Sequence, residues 1–157
     1  MSSTTLCSWV RFSAVAFACY GALLLAVLVW EAAGVLLPEY GQQAAYLWCG
    51  FLILAAVPCF AVLVLVWRVS TAIKNDAVFT VAAARTIGAA TTWLCADAAF
   101  IFAGTVVLTA MNINHPGPML AALLAVLALT AFGLLAAVLS RYIARAADLQ
   151  EVSEGTI

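Results

Sequence analysis

From residue 12 to residue 37 the chain carries a single charged side chain, Glu31. From 44 to 67 it carries none, and from 119 to 140 none again. Between 83 and 111 Arg85, at the start, and Asp97 are the charged exceptions. A helix needs about 20 apolar residues to cross the hydrocarbon core of a bilayer, and each run reaches that length. In lipid every backbone polar group must be satisfied within the segment or by a closed barrel. None of the runs alternates apolar with polar residues as a barrel strand does. The expectation is an all-α, polytopic membrane protein. Its four transmembrane helices, at about 12–37, 44–67, 83–111 and 119–140, form one membrane domain over residues 1–157, with a short cytoplasmic tail at 141–157.

Composition supports this. The chain is 68% hydrophobic and 8% charged, whereas soluble domains are about a quarter charged. Four helices and their connections use up the 157 residues. The first run is too long for the apolar region of a signal peptide and reads as a retained helix. A net charge of −1 offers no basic footprint for direct nucleic-acid binding.

Orientation follows from the basic residues. Arg11, Arg68, Lys74, Arg85, Arg141 and Arg145 all fall on one side of a four-crossing chain. The positive-inside rule places that side, and both termini, in the cytoplasm. Trp30, Tyr40, Tyr46 and Trp48 then mark the outer interface, and Trp67 and Tyr142 the inner one. Pro38 closes the first run, Thr80 caps the third, and Pro118 suits the first turn of the fourth. Asn75-Asp76 reads as a break in the cytoplasmic loop. Arg145 and Asp148 are spaced as a helical pair.

Asp97 is the foremost candidate site residue. A carboxylate at mid-bilayer costs about 2.5–3.5 kcal/mol on insertion scales, so it must face the bundle interior. It serves either a proton or cation relay or ligand site, or simply a neutral acid bonded to a neighbouring helix through a hydroxyl or a free carbonyl. Pro58 removes a backbone donor and so predicts a kink, with the carbonyl near Leu54 left free. Glu31 is a second intramembrane polar candidate, near the outer surface, or else a snorkelling interfacial acid. His115 reads as a polar loop residue. Small residues recur every four positions at Ala14, Ala18 and Ala22, at Ala84, Gly88, Thr92 and Ala96, and at Gly133 and Ala137. Such stripes suit close helix packing within the chain, or in a homo-oligomer. Cys7, Cys19, Cys49, Cys59 and Cys95 form no metal or disulfide spacing and read as small buried hydrophobes. No phosphate loop, nucleophile–base pair or zinc set is present. The chain reads as a non-enzyme that needs no cofactor.

Several motifs lie in a characteristic order. Val57-Pro58-Cys59-Phe60 is followed by Arg68-Val69-Ser70-Thr71-Ala72-Ile73-Lys74-Asn75-Asp76-Ala77-Val78-Phe79-Thr80, then by Pro116-Gly117. The chain ends with Ala147-Asp148-Leu149-Gln150-Glu151 and Gly155-Thr156-Ile157. Together these resemble the YoaS-like family, small bacterial four-helix membrane proteins of unknown function. Asn114-His115 stands where that family usually has acids. Members are often encoded beside a small helix-turn-helix regulator. The resemblance implies a multi-pass protein of the bacterial inner membrane that partners a cytosolic transcription regulator in a regulatory or sensory role. Contact with that partner is expected at Arg68, Lys74, Arg85, Arg141, Arg145, Asp148 and Glu151. The competing expectation is a small transporter or channel component that uses Asp97.

Overall fold

The computed structural model describes residues 3–74, 77 and 79–154, with side-chain surroundings for those between 5 and 149. The Asn75-Asp76 break and the residues from 155 onward lie outside the described residues. The described chain is all-helical: α1 (Ser3–Lys74), α2 (Val81–Ala110) and α3 (Pro116–Glu154). Each is long and apolar enough to cross a membrane.

The first two expected segments are thus parts of one element, and Pro38 does not end the first. Pro38 lies inside α1, and the break falls at Gly41, with φ 82° and ψ 175°. That region of backbone space is open essentially to glycine alone. A straight helix of this length would run roughly 108 Å, yet the two ends of α1 touch. The Cys7 thiol donates to the Ser70 carbonyl at 3.1 Å, and Arg11 Nε donates to Ser70 Oγ at 3.1 Å. Nearer the break, the Cys49 thiol faces the Val29 carbonyl at 3.8 Å. So α1 folds back on itself at Gly41, one arm covering 3–40 and the other 42–74. Pro58 sits within continuous helix in the second arm; the non-helical dihedrals inside α1 belong to Gly41.

Thr80 caps α2 as its sequence position suggests, its hydroxyl accepting from the Ala83 amide at 3.2 Å. The other end of α2 closes through a left-handed residue, Asn112 at φ 57°. The Ile113 amide reaches back to the Leu108 carbonyl at 3.2 Å and the Asn112 amide to that of Thr109 at 3.0 Å. These two bonds satisfy carbonyls that a helix end otherwise leaves open. α3 then runs without interruption to Glu154.

Packing runs opposite to that of a soluble protein. The buried residues are mostly small, Ala14, Ala45, Ala84 and Ala98 among them. Large side chains such as Phe12, Trp30, Leu127 and Leu135 point outward. Without a hydrophobic drive between helices in lipid, close backbone approach and interhelical hydrogen bonds hold the bundle. The α2–α3 seam shows both. The Ser140 hydroxyl donates across it to the Ala84 carbonyl at 2.8 Å, and Gly133 lies against Cys95 and Leu94. On the other side of α2, the Phe51 ring of α1 lies directly over Gly104, where a Cβ would collide with it. Phe51 in turn stacks on Phe100, the ring centroids 5.5 Å apart. α2 therefore contacts both partners, while α1 and α3 have no close backbone contact among the described residues. Threonine hydroxyls inside the helices bond back to their own turn, as Thr105 does to the Ile101 carbonyl at 2.7 Å.

Candidate functional site

Three polar regions interrupt the apolar bundle. The first is Asp97, midway along α2. It is 1% exposed, consistent with the insertion cost of a carboxylate at that depth. Its Oδ2 accepts from the Cys59 thiol at 3.3 Å. Cys59 follows Pro58, so the kink candidate and the acid do meet in space, though through the thiol and not through the carbonyl near Leu54. Cys59 is thus a polar partner, and its side chain is exposed along the bundle. The other carboxyl oxygen, Oδ1, is buried without a hydrogen-bond partner. A buried polar atom left unmatched costs about 1–3 kcal/mol.

The second region lies at the end of the bundle where α1 turns back. Tyr40 Oη and His115 Nε2 are 3.0 Å apart, and the Glu39 carboxylate stands 3.8 Å from the same nitrogen. Trp48 Nε1 donates to the Ile113 carbonyl at 2.7 Å. These contacts fasten both arms of α1 to the loop between α2 and α3. Behind them a cavity of about 470 Å³ opens between α1 and α3, beside Ile101 of α2. Its walls come from Val35, Phe51 and Leu52 on α1 and from Ala121, Ala122 and Ala125 on α3. Glu31 contributes the carboxylate of this lining, with His115 at its rim. Sequence reasoning found Glu31 but neither its cavity nor Glu39 and Tyr40 as partners of His115. A Pro-Glu-Tyr turn facing a His-Pro-Gly turn was the available signal, but it names no pairing.

The third region is the opposite end. Arg11 Nη2 donates to Thr71 Oγ1 at 3.2 Å, and its guanidinium lies 5.0 Å from the Trp67 ring centre. Ser70, fully buried, donates onward to the Trp67 carbonyl at 2.7 Å. Arg11 therefore locks the two arms of α1 together, a role that the sequence reading did not give it. Arg68, Lys74, Arg85, Arg141, Arg145 and Asp148 are exposed. Among the described residues none of these six forms an ion pair, so the expected Arg145–Asp148 pair is not made. The side chain of Glu151 lies outside the described residues. Because Ser140 meets Ala84, and Thr80 follows closely on Lys74, these residues gather at one end of the molecule.

Asp97, Glu31 and the basic end are thus three separate places. Asp97 is absent from the cavity wall that holds Glu31. Among the described residues no three His, Cys, Asp or Glu side chains converge as a metal centre would need.

No curated protein and no solved structure matches the chain. The family model for a protein of unknown function, DUF2975, matches residues 4–157. That match spans nearly all of the chain, which therefore belongs to the DUF2975 family.

Proposed function

We propose that this multi-pass membrane protein is a non-enzymatic sensory partner of a cytosolic regulator. On this reading α1 crosses the membrane twice, once with each arm, giving four crossings with both termini in the cytoplasm of a bacterial cell. The positive-inside rule supports that orientation, since the six basic residues gather at one end. The cavity then opens on the outer half of the membrane and the mixed-charge end faces the cytosol.

The observation that carries the reading is α3 itself. One unbroken helix runs from the cavity wall at Ala121 to Arg141, Arg145 and Asp148. It packs on α2 and stands clear of α1. A helix held on one side can shift when the cavity fills, and its far end carries the groups that a protein partner would contact. The alternation of Arg141, Arg145 and Asp148 suits a protein surface better than DNA, whose phosphates the acids would repel. The YoaS-like resemblance, with its helix-turn-helix neighbour, supports a transcription regulator as that partner. The transporter reading has less support, because Asp97 lies outside the cavity lining and is held by Cys59.

The test is recovery of co-purifying cytosolic proteins in mild detergent, with and without residues 149–157. Loss of one regulator on truncation, with membrane insertion intact, is the expected result. Unchanged recovery would remove the end of α3 from the contact.

A further inference from the structure

We infer that the cavity between α1 and α3 binds a lipophilic organic cation, with Glu31 as its counter-charge. This deepens the sensory reading by naming the ligand, and depends on it for the consequence of binding but not for binding itself.

The argument begins with Glu31. Counting back from Gly41 at 1.5 Å per residue puts it roughly 15 Å along the first arm of α1, next to Trp30, and it is exposed. His115, at the rim of the same cavity, is the cationic candidate nearest to hand. Its Nε2, however, stands against the Tyr40 hydroxyl and the Glu39 carboxylate. Glu31 makes no hydrogen bond and no ion pair among the described residues. The cavity therefore presents one unpaired carboxylate in a wall that is apolar apart from His115.

The wall supplies the rest of the specificity. Trp48 and Phe51 line it with aromatic surface, which attracts organic cations through ring faces. Its volume of about 470 Å³ lies within the range of roughly 300–1,000 Å³ typical of small-molecule sites. Leu28 and Val35 belong to the lining and are also exposed on the outside of the bundle. The cavity thus opens sideways toward lipid, where a lipophilic cation concentrates. A small inorganic cation would find a single carboxylate and few other ligands here. An anion would find no lysine or arginine in the lining.

The probe is tetraphenylphosphonium, set against tetraphenylborate, which has the same shape and the opposite charge. Binding is measured by equilibrium dialysis on the purified full chain in nanodiscs of zwitterionic lipid, with empty nanodiscs as the blank. Saturable phosphonium binding is expected, weakened about tenfold or more by Glu31→Gln and retained by Glu31→Asp. Ala122→Phe, which fills the cavity and leaves the charge in place, should also reduce it. No saturable binding of tetraphenylborate is expected. The inference is overturned if Glu31→Gln, monodisperse and helical, binds the phosphonium as tightly as the parent. It is equally overturned if the borate binds as well as the phosphonium, or if neither saturates. Loss of the partner on truncating α3 is read in a different assay, so either idea can fail while the other stands.

Discussion

The seam between α2 and α3 and the gap between α1 and α3 draw on the same residue types, yet one is closed and the other open. Both use alanines at helical spacing. Across the seam, Ser140 donates to the Ala84 carbonyl and Gly133 admits Cys95 and Leu94. Across the gap, Ala121, Ala122 and Ala125 face α1 with no hydrogen bond between the helices and no close backbone contact among the described residues. Small residues permit close approach; a hydrogen bond or an interlocked side chain is what secures it. Between α1 and α2 that securing piece is Phe51 over Gly104. The open gap is thus a property of specific contacts and not of alanine content.

That contrast can be broken at graded cost, read as free energy of unfolding in detergent. Gly104→Leu drives a side chain into Phe51 and should be the most damaging change, destabilising by about 3 kcal/mol through overpacking. Gly41→Ala places a Cβ on a backbone conformation that only glycine tolerates, and should cost about 2 kcal/mol. An unchanged unfolding midpoint for this variant would mean that α1 does not turn at Gly41. Ser140→Ala removes one interhelical bond and should cost about 0.6 kcal/mol, the average for such bonds in a membrane bundle. A loss of several kcal/mol there would mean that the seam depends on one hydroxyl far more than close packing suggests. Ala122→Leu, set in the open gap, should change stability by less than about 0.5 kcal/mol, as at sites without packing constraint. If it proved as damaging as Gly104→Leu, the gap would be closed in solution.

Much of the helical architecture could be read from the chain, because long uncharged runs leave lipid-exposed backbone no alternative. Thr80 was legible as a cap because its hydroxyl precedes an apolar helix. The burial of Asp97 was legible because the cost of exposing it to lipid is large. The turn was expected in the connection between 37 and 44, where the break at Gly41 falls, but the helix runs on past Pro38, which was read as its end. Proline forfeits only its own backbone bond and crowds one carbonyl, whereas Gly41 adopts a conformation closed to other residues. Cys59 was invisible as a partner for Asp97, because a thiol that hydrogen-bonds and one that serves as a small hydrophobe look alike in sequence. The pairing of His115 with Glu39 and Tyr40 required the fold-back of α1, which brings distant turns together. The cavity left no trace at all. Its wall is written in the same alanine, leucine and phenylalanine that face lipid elsewhere.

Cysteine labelling in intact cells tests the placement of the cavity outside and the charged end of α3 inside. The five native cysteines are replaced, and single cysteines are set at Gln42, Asn112 and Ser153. A membrane-impermeant maleimide should label positions 42 and 112 in intact cells, and position 153 only after permeabilisation. Labelling of position 153 from outside, with 42 and 112 silent, would invert the molecule. The cavity would then face the cytosol and the proposed partner surface would lie out of reach.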